Sequence, residues 1–118
     1  MLAVIFEVIP TAKGREEYFA LAADLKKHLS EMPGFISIER FQSLVDANKI
    51  LSLSFWENEE AIAQWRNLEK HRSAQGKGRN VLFESYRIRV ARIARDYTLD
   101  DRQDAPDDSK AVHDELIE

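Results

Sequence analysis

Three histidines, at positions 28, 71 and 113, are the side chains best suited to moving a proton near neutral pH. An imidazole titrates at about pH 6.5, which makes it the natural general base for an acidic hydroxyl. His71 is the best placed of the three, because His28 lies on the polar side of a helical stripe and His113 sits in an acidic tail. Trp56 and Trp65 could wall a pocket for a flat aromatic molecule, although aromatics at strand ends and on helix stripes more often serve a core. On a continuous helix His71 falls about 240° round from Trp65 and shares a face with Leu68 and Gln75. A stacked Trp–His pair is therefore not expected, and a pocket lined by both requires a break in the helix. The other reading of His71 is a hydrogen bond or cap at the helix end.

Other constellations carry less chemistry. Arg72, Arg79, Arg87 and Arg89 could hold an anionic substrate or the acidic tail, or form a solvated, salt-bridged face. Glu7, alone in an apolar run, stands either at an open edge or in a cavity where it could move a proton. Gly76-Lys77-Gly78-Arg79 follows a helix and lacks the Gly-Lys-Ser/Thr ending of a phosphate loop. No His/Asp/Glu cluster has metal-ligand spacing and no serine-nucleophile motif occurs, so no metal is expected. Residues 49–56 lack the Arg/Lys-Gly-aromatic pattern of an RNA-recognition strand, and no nucleic-acid partner is expected.

The elements that position these residues follow from periodicity. Leu2 to Ile9 is apolar in both alternating phases except at Glu7, as a strand covered on both sides must be. Beyond Pro10 and Gly14, the stripe Tyr18, Ala22, Leu25, Leu29, Met32 predicts a helix over Arg15–Met32, stopped by Pro33-Gly34. Phe35–Leu44 and Lys49–Trp56 read as strands joined by a turn at residues 46–48. In the second of these, Leu51, Leu53 and Phe55 share one face, and Ile50, Ser52, Ser54 and Trp56 the other. Asn58 caps a helix through Ala61, Ile62, Trp65 and Leu68 that weakens near Gly76 and Gly78. Val81–Phe83 could add a helical turn before a last strand over Ser85–Arg95, and Lys110–Ile117 a short final helix. The order is the α+β, ferredoxin-like βαββαβ arrangement, a four-stranded antiparallel sheet with both helices on one face. The apolar residues left on the other face call for a cover, and a second copy of the same sheet is the simplest one.

Length allows one domain and no second core. The apolar and charged fractions, 44% and 32%, are those of an ordinary globular protein. Without cysteine there is neither disulfide scaffold nor thiol chemistry, and the first apolar run is too short to span a bilayer, so a cytoplasmic protein without a membrane partner is expected. Residues 98–118 set eight acids against Arg102 and Lys110, a charge of −6 that leaves residues 1–97 at +2. The division expected is a domain over 1–97 and an acidic tail over 98–118, extended or docked.

Gly34-Phe35, Ser54-Phe55-Trp56, the runs Glu59 to Arg66 and Glu69 to Gln75, Gly78-Arg79 and the closing Arg89 to Tyr97 resemble the antibiotic biosynthesis monooxygenase domain of the dimeric α+β barrel superfamily. The resemblance covers residues 1–97. It implies a homodimer packed sheet on sheet and oxygenation of a small quinol-like or polyketide-like aromatic with no cofactor, neither metal nor flavin. It implies His71 as the base, with Trp65, Phe55 and Phe83 in the pocket wall. The alternative is a non-catalytic dimer that binds a small hydrophobic ligand or stabilises a partner. Relatives that degrade haem use a first-strand asparagine, a second-helix tryptophan and an iron-ligating histidine. The tryptophan matches Trp65, but the other two positions fall on Glu7 and Gln75, and glutamine is a poor proximal ligand. Haem degradation is disfavoured.

Overall fold

The first strand, β1 (Leu2–Pro10), runs down the middle of a four-stranded sheet. A helix, α1 (Arg15–Leu29), follows, and then the hairpin β2 (Phe35–Gln42) and β3 (Ile50–Trp56). Next come α2 (Glu59–Ala74), β4 (Phe83–Arg92) and a last helix, α3 (Asp107–Ile117). The computed structural model describes residues 1–74 and 82–117, and within these the side chains of all but residues 70–74 and 113–117. The strands lie in the order β2-β3-β1-β4 with every neighbouring pair antiparallel, which is the ferredoxin-like arrangement.

Residue pairing sorts the sheet into two surfaces. Cross-strand rows such as Arg40, Ser52, Phe6, Ile88 and Ile38, Ser54, Val4, Val90 face the helices. The rows between them, Glu39, Leu53, Ile5, Arg89 and Ser37, Phe55, Ala3, Ala91, face away. Because β1 is central and both surfaces are largely apolar, its residues are apolar in both phases. On the helix side one core cluster gathers Leu2, Leu29, Trp56, Ala61 and Ile62, and a second gathers Val8, Tyr18 and Ile50.

Local chemistry fixes where the helices sit. The predicted stripe of α1 is its buried face: Tyr18, Ala22, Leu25 and Leu29 are all buried. Met32 packs on the same core from beyond the helix end, since α1 stops at Leu29, three residues before the predicted end. The chain turns at Gly34, whose φ of 84° is left-handed and whose hydrogen atom faces Ala61, 2.7 Å from where a Cβ would stand. Asn58 caps α2 as expected, its Oδ1 accepting the Ala61 N–H at 2.9 Å. At the far end Gly14 lies against Leu82, and the Thr11 N–H donates to the Leu82 carbonyl at 2.8 Å. This contact brings the first turn of α1 beside the start of β4.

Glu7 stands not at an open edge but in a hollow that it lines with Lys49, Ser85 and Arg87. It lies mid-sheet on the surface away from the helices, 3.3 Å from Lys49 Nζ and 3.6 Å from Arg89 Nη1. The tail turns on itself, with the Asp96 N–H donating to Asp104 Oδ2 at 2.6 Å and the Arg102 guanidinium 4.9 Å over the Tyr97 ring. The radius of gyration is 17.6 Å, against about 13.5 Å for a compact domain of this length. Among the described residues no helix is long and apolar enough to cross a membrane.

Candidate functional site

Between the helices and the sheet lies a cavity of about 150 Å³. Cavities of this order hold a single benzene ring in other proteins. Its floor is the helix-facing sheet surface, with Val4 and Phe6 in the middle, and α1 closes it with Tyr18, Leu21, Ala22 and Leu25. From α2 come Ile62, Trp65, Arg66 and Glu69, the residues that three- and four-residue spacing puts on one helix side. On the β4 side Tyr86, Ile88 and Val90 are 50%, 52% and 46% exposed, so this edge of the sheet forms the open border.

Two aromatic groups brace the cavity. Trp56 is fully buried, edge-on to Phe35 at 5.3 Å between centroids, and its Nε1–H donates to Ser54 Oγ at 2.8 Å. Trp65 lies over it at 6.1 Å and presents its other side to the cavity. In the second group Phe83 meets Phe6, Tyr18 and Tyr86 edge-on at 6.0, 5.6 and 6.0 Å. Edge-to-face packing sets the positive rim of one ring against the negative face of the next, which holds such a wall rigidly.

Of the predicted site residues, the fold brings together Trp65 and Phe83, both in the cavity wall. It does not bring Phe55 to them. Phe55 pairs with Ala3 and Ser37 on the opposite sheet surface, one residue out of phase with the cavity-lining Ser54. His71 belongs to the last turns of α2, and its side chain lies outside the described residues, as does that of Arg72. Residues 75–81, which include Gln75, the Gly76–Arg79 run and Val81, lie outside them altogether. Among the described residues no group of three or more His, Asp or Glu stands close enough to hold a metal ion.

Polar residues missed at the sequence level line the same cavity: Tyr18, Arg40, Ser52 and Ser54. Ser52 and Ser54 are 7% and 5% exposed, and Tyr18 is 5% exposed with its hydroxyl oxygen buried. The signal for the serines was present, since they share a strand face with Ile50 and Trp56 where apolar residues are the rule. Tyr18 was hidden by being read as one more residue of an apolar stripe. Arg40 was hidden by the weak alternation of β2.

The chain matches the family model described as antibiotic biosynthesis monooxygenase over residues 1–77. It is 40% identical over 93 residues to jasmonate monooxygenase ABM of Pyricularia oryzae; the match takes in 79% of this chain but 43% of that protein, so the chain spans less than half of its length. Among solved structures it is similar to Rv0793 from Mycobacterium tuberculosis, with a TM-score of 0.70 and 17% identity over 82% of this chain and 98% of the other. A variant of SnoaB, a cofactor-independent oxygenase from Streptomyces nogalater, superposes with a TM-score of 0.65 and 9% identity, covering 80% of this chain and 94% of its own. The family match covers residues 1–77 and the fold agrees with those solved structures, and the chain belongs to the antibiotic biosynthesis monooxygenase family.

Proposed function

We propose that the chain is a cytoplasmic, homodimeric monooxygenase that oxygenates a small quinol-like aromatic in the cavity between helices and sheet, without metal or flavin. The observation that carries this reading is the cavity itself, with room for about one ring and Trp65 and Phe83 in its wall. A larger polyketide-like substrate would enter only by extending past the open β4 border, where Tyr86, Ile88 and Val90 are half exposed. A relative named as a monooxygenase, and the fold shared with a cofactor-independent oxygenase, support the reaction class.

The chemistry needs a base and an apolar site. A base removes a phenolic proton, and the electron-rich anion then passes an electron to oxygen; an aromatic cavity shields the radical pair from water. A quinol ring C–H then becomes C–OH and the ring a quinone: one oxygen atom stays as the new hydroxyl, the other leaves as water, and the substrate supplies all four electrons. His71 is assigned the base.

An oxygen electrode with a panel of hydroquinones and dihydroxynaphthalenes tests the reading. Enzyme-dependent uptake that falls about 100-fold or more in His71→Ala is expected of a general base. Uptake unchanged in that variant removes the role of His71. Saturable ligand binding with no uptake from any substrate would instead fit a binding module.

The surface that carries Ile5, Leu51, Leu53 and Phe55, all of them partly exposed, supports the homodimer. Phe41 continues it at 43% exposure. A partner sheet laid on this surface would cover these side chains and leave the cavity, on the other side of the sheet, accessible.

A further inference from the structure

We propose that the cavity is built for an apolar organic anion, with its ionised oxygen received by the Tyr18 hydroxyl and the Arg40 guanidinium. The inference rests on the cavity being the substrate site and adds the chemical class of what enters it. Tyr18 is 5% exposed, and its Oη is buried with no hydrogen-bond partner among the described residues. Arg40 lines the same cavity from β2, and its Nε is likewise buried and unpartnered. Both groups have hydrogens to donate, and a buried donor left without an acceptor is costly, so a ligand that brings an acceptor is favoured.

The remaining polar lining points the same way. Ser54 accepts the Trp56 indole N–H at 2.8 Å and keeps its own O–H as a donor. Among the described lining residues two arginines, Arg40 and Arg66, stand against one carboxylate, Glu69, a net positive charge. Hydrogen bonds to an ionised acceptor are the strong kind, and in an apolar surround they discriminate sharply between an anion and its neutral isostere. Carboxylate and phenolate share this chemistry.

Two arms of one experiment separate those sources. Calorimetric titration compares benzoate with benzamide. Visible absorbance follows 4-nitrophenol, whose ionised form is coloured, against 4-nitroanisole, which cannot ionise. In at least one arm the anion should bind about tenfold or more tightly than its neutral partner. For 4-nitrophenol that preference would also lower the apparent pKa of the bound phenol by about one unit.

Arg40→Gln should erase most of the preference, and Tyr18→Phe, which keeps the ring packing, should reduce it at least about threefold. The exposed α1 variant Lys27→Gln should leave it unchanged. Preference in the benzoate arm alone identifies a carboxylate ligand, and preference in the nitrophenol arm alone a phenolate. Equal affinity for anion and neutral partner in both arms, no saturable binding in either, or a preference that survives intact in Tyr18→Phe overturns the proposal. No oxygen chemistry is read, so a chain without oxygenase activity would still pass or fail on its own terms.

Discussion

At the level of single residues, Trp56 and its neighbour Ser54 illustrate how a polar atom is accommodated in a core. The indole N–H has no access to water, because Trp56 is fully buried, and Ser54 Oγ at 2.8 Å accepts it. Ser54→Ala leaves that donor unsatisfied, and chemical denaturation should find the variant destabilised by about 1–3 kcal/mol. At Gly34 two costs add, since φ is 84° and an added Cβ would stand 2.7 Å from the Ala61 Cβ. Gly34→Ala should therefore lose at least ~1 kcal/mol, read as a lower midpoint in urea. The residue scale is also where sequence reading is least complete. Strand alternation was enough to place Phe55 opposite Ser54 and Trp56, yet the aromatic type of Phe55 weighed more than its phase. Tyr18 and Arg40 could not be recognised as a pair from sequence, because what unites them is the contact of Gly14 with Leu82 and the pairing of β2 with β3, both long-range.

At the scale of elements, helix and strand positions were largely legible, and the differences lie at their ends. The α1 stripe continues to Met32 in sequence, but the helix ends at Leu29 because Pro33-Gly34 needs a turn's length of chain to redirect. β4 begins at Phe83 rather than Ser85, drawn into the sheet by pairing of Phe83 with Pro10 across an irregular register. It ends at Arg92, short of the predicted Arg95. α3 begins at Asp107, three residues before the predicted start, with the Pro106 carbonyl accepting the Lys110 N–H at 2.9 Å. Aspartates in a first turn favour a helix by offsetting its dipole, a signal masked by the polar composition around them. The Asn58 cap was fully legible, and Asn58→Ala should cost about 1 kcal/mol in thermal or chemical unfolding. Deleting residues 99–118 should change stability by less than about 0.5 kcal/mol. Contacts of that segment such as Asp104 to Asp96 and Arg102 to Tyr97 lie at the end of the chain, and among its described residues Ala105, 6% exposed, is the one buried apolar side chain. A loss of several degrees in melting temperature would show instead that the tail docks on the body.

For the whole molecule the proposed assembly is the property most open to measurement. A sedimentation mass near twice 13.7 kDa is expected, and Leu53→Glu, in the middle of the uncovered sheet surface, should shift the chain to monomer. A carboxylate at position 53 would also stand beside Glu39, its cross-strand partner, adding like-charge repulsion. Wild-type mass at the monomer value would remove the dimer. The ferredoxin-like order could be read from the succession of strand and helix patterns, and the need for a cover on the second sheet surface from β1, because a strand apolar in both phases has to be satisfied twice.

That same double alternation makes the sheet a partition with no shared tenants. Val4 and Phe6 belong to the cavity, while Ala3 and Ile5 belong to the opposite surface. A substitution on one side thus reaches the other only through the backbone, so the cavity lining and the opposite surface can drift independently over generations. A shift in length has no such freedom. One residue inserted into β1 would exchange the two sets past that point, turning Ile5 toward the cavity and Phe6 away from it. The strand is open to gradual change of side chains and closed to changes of frame.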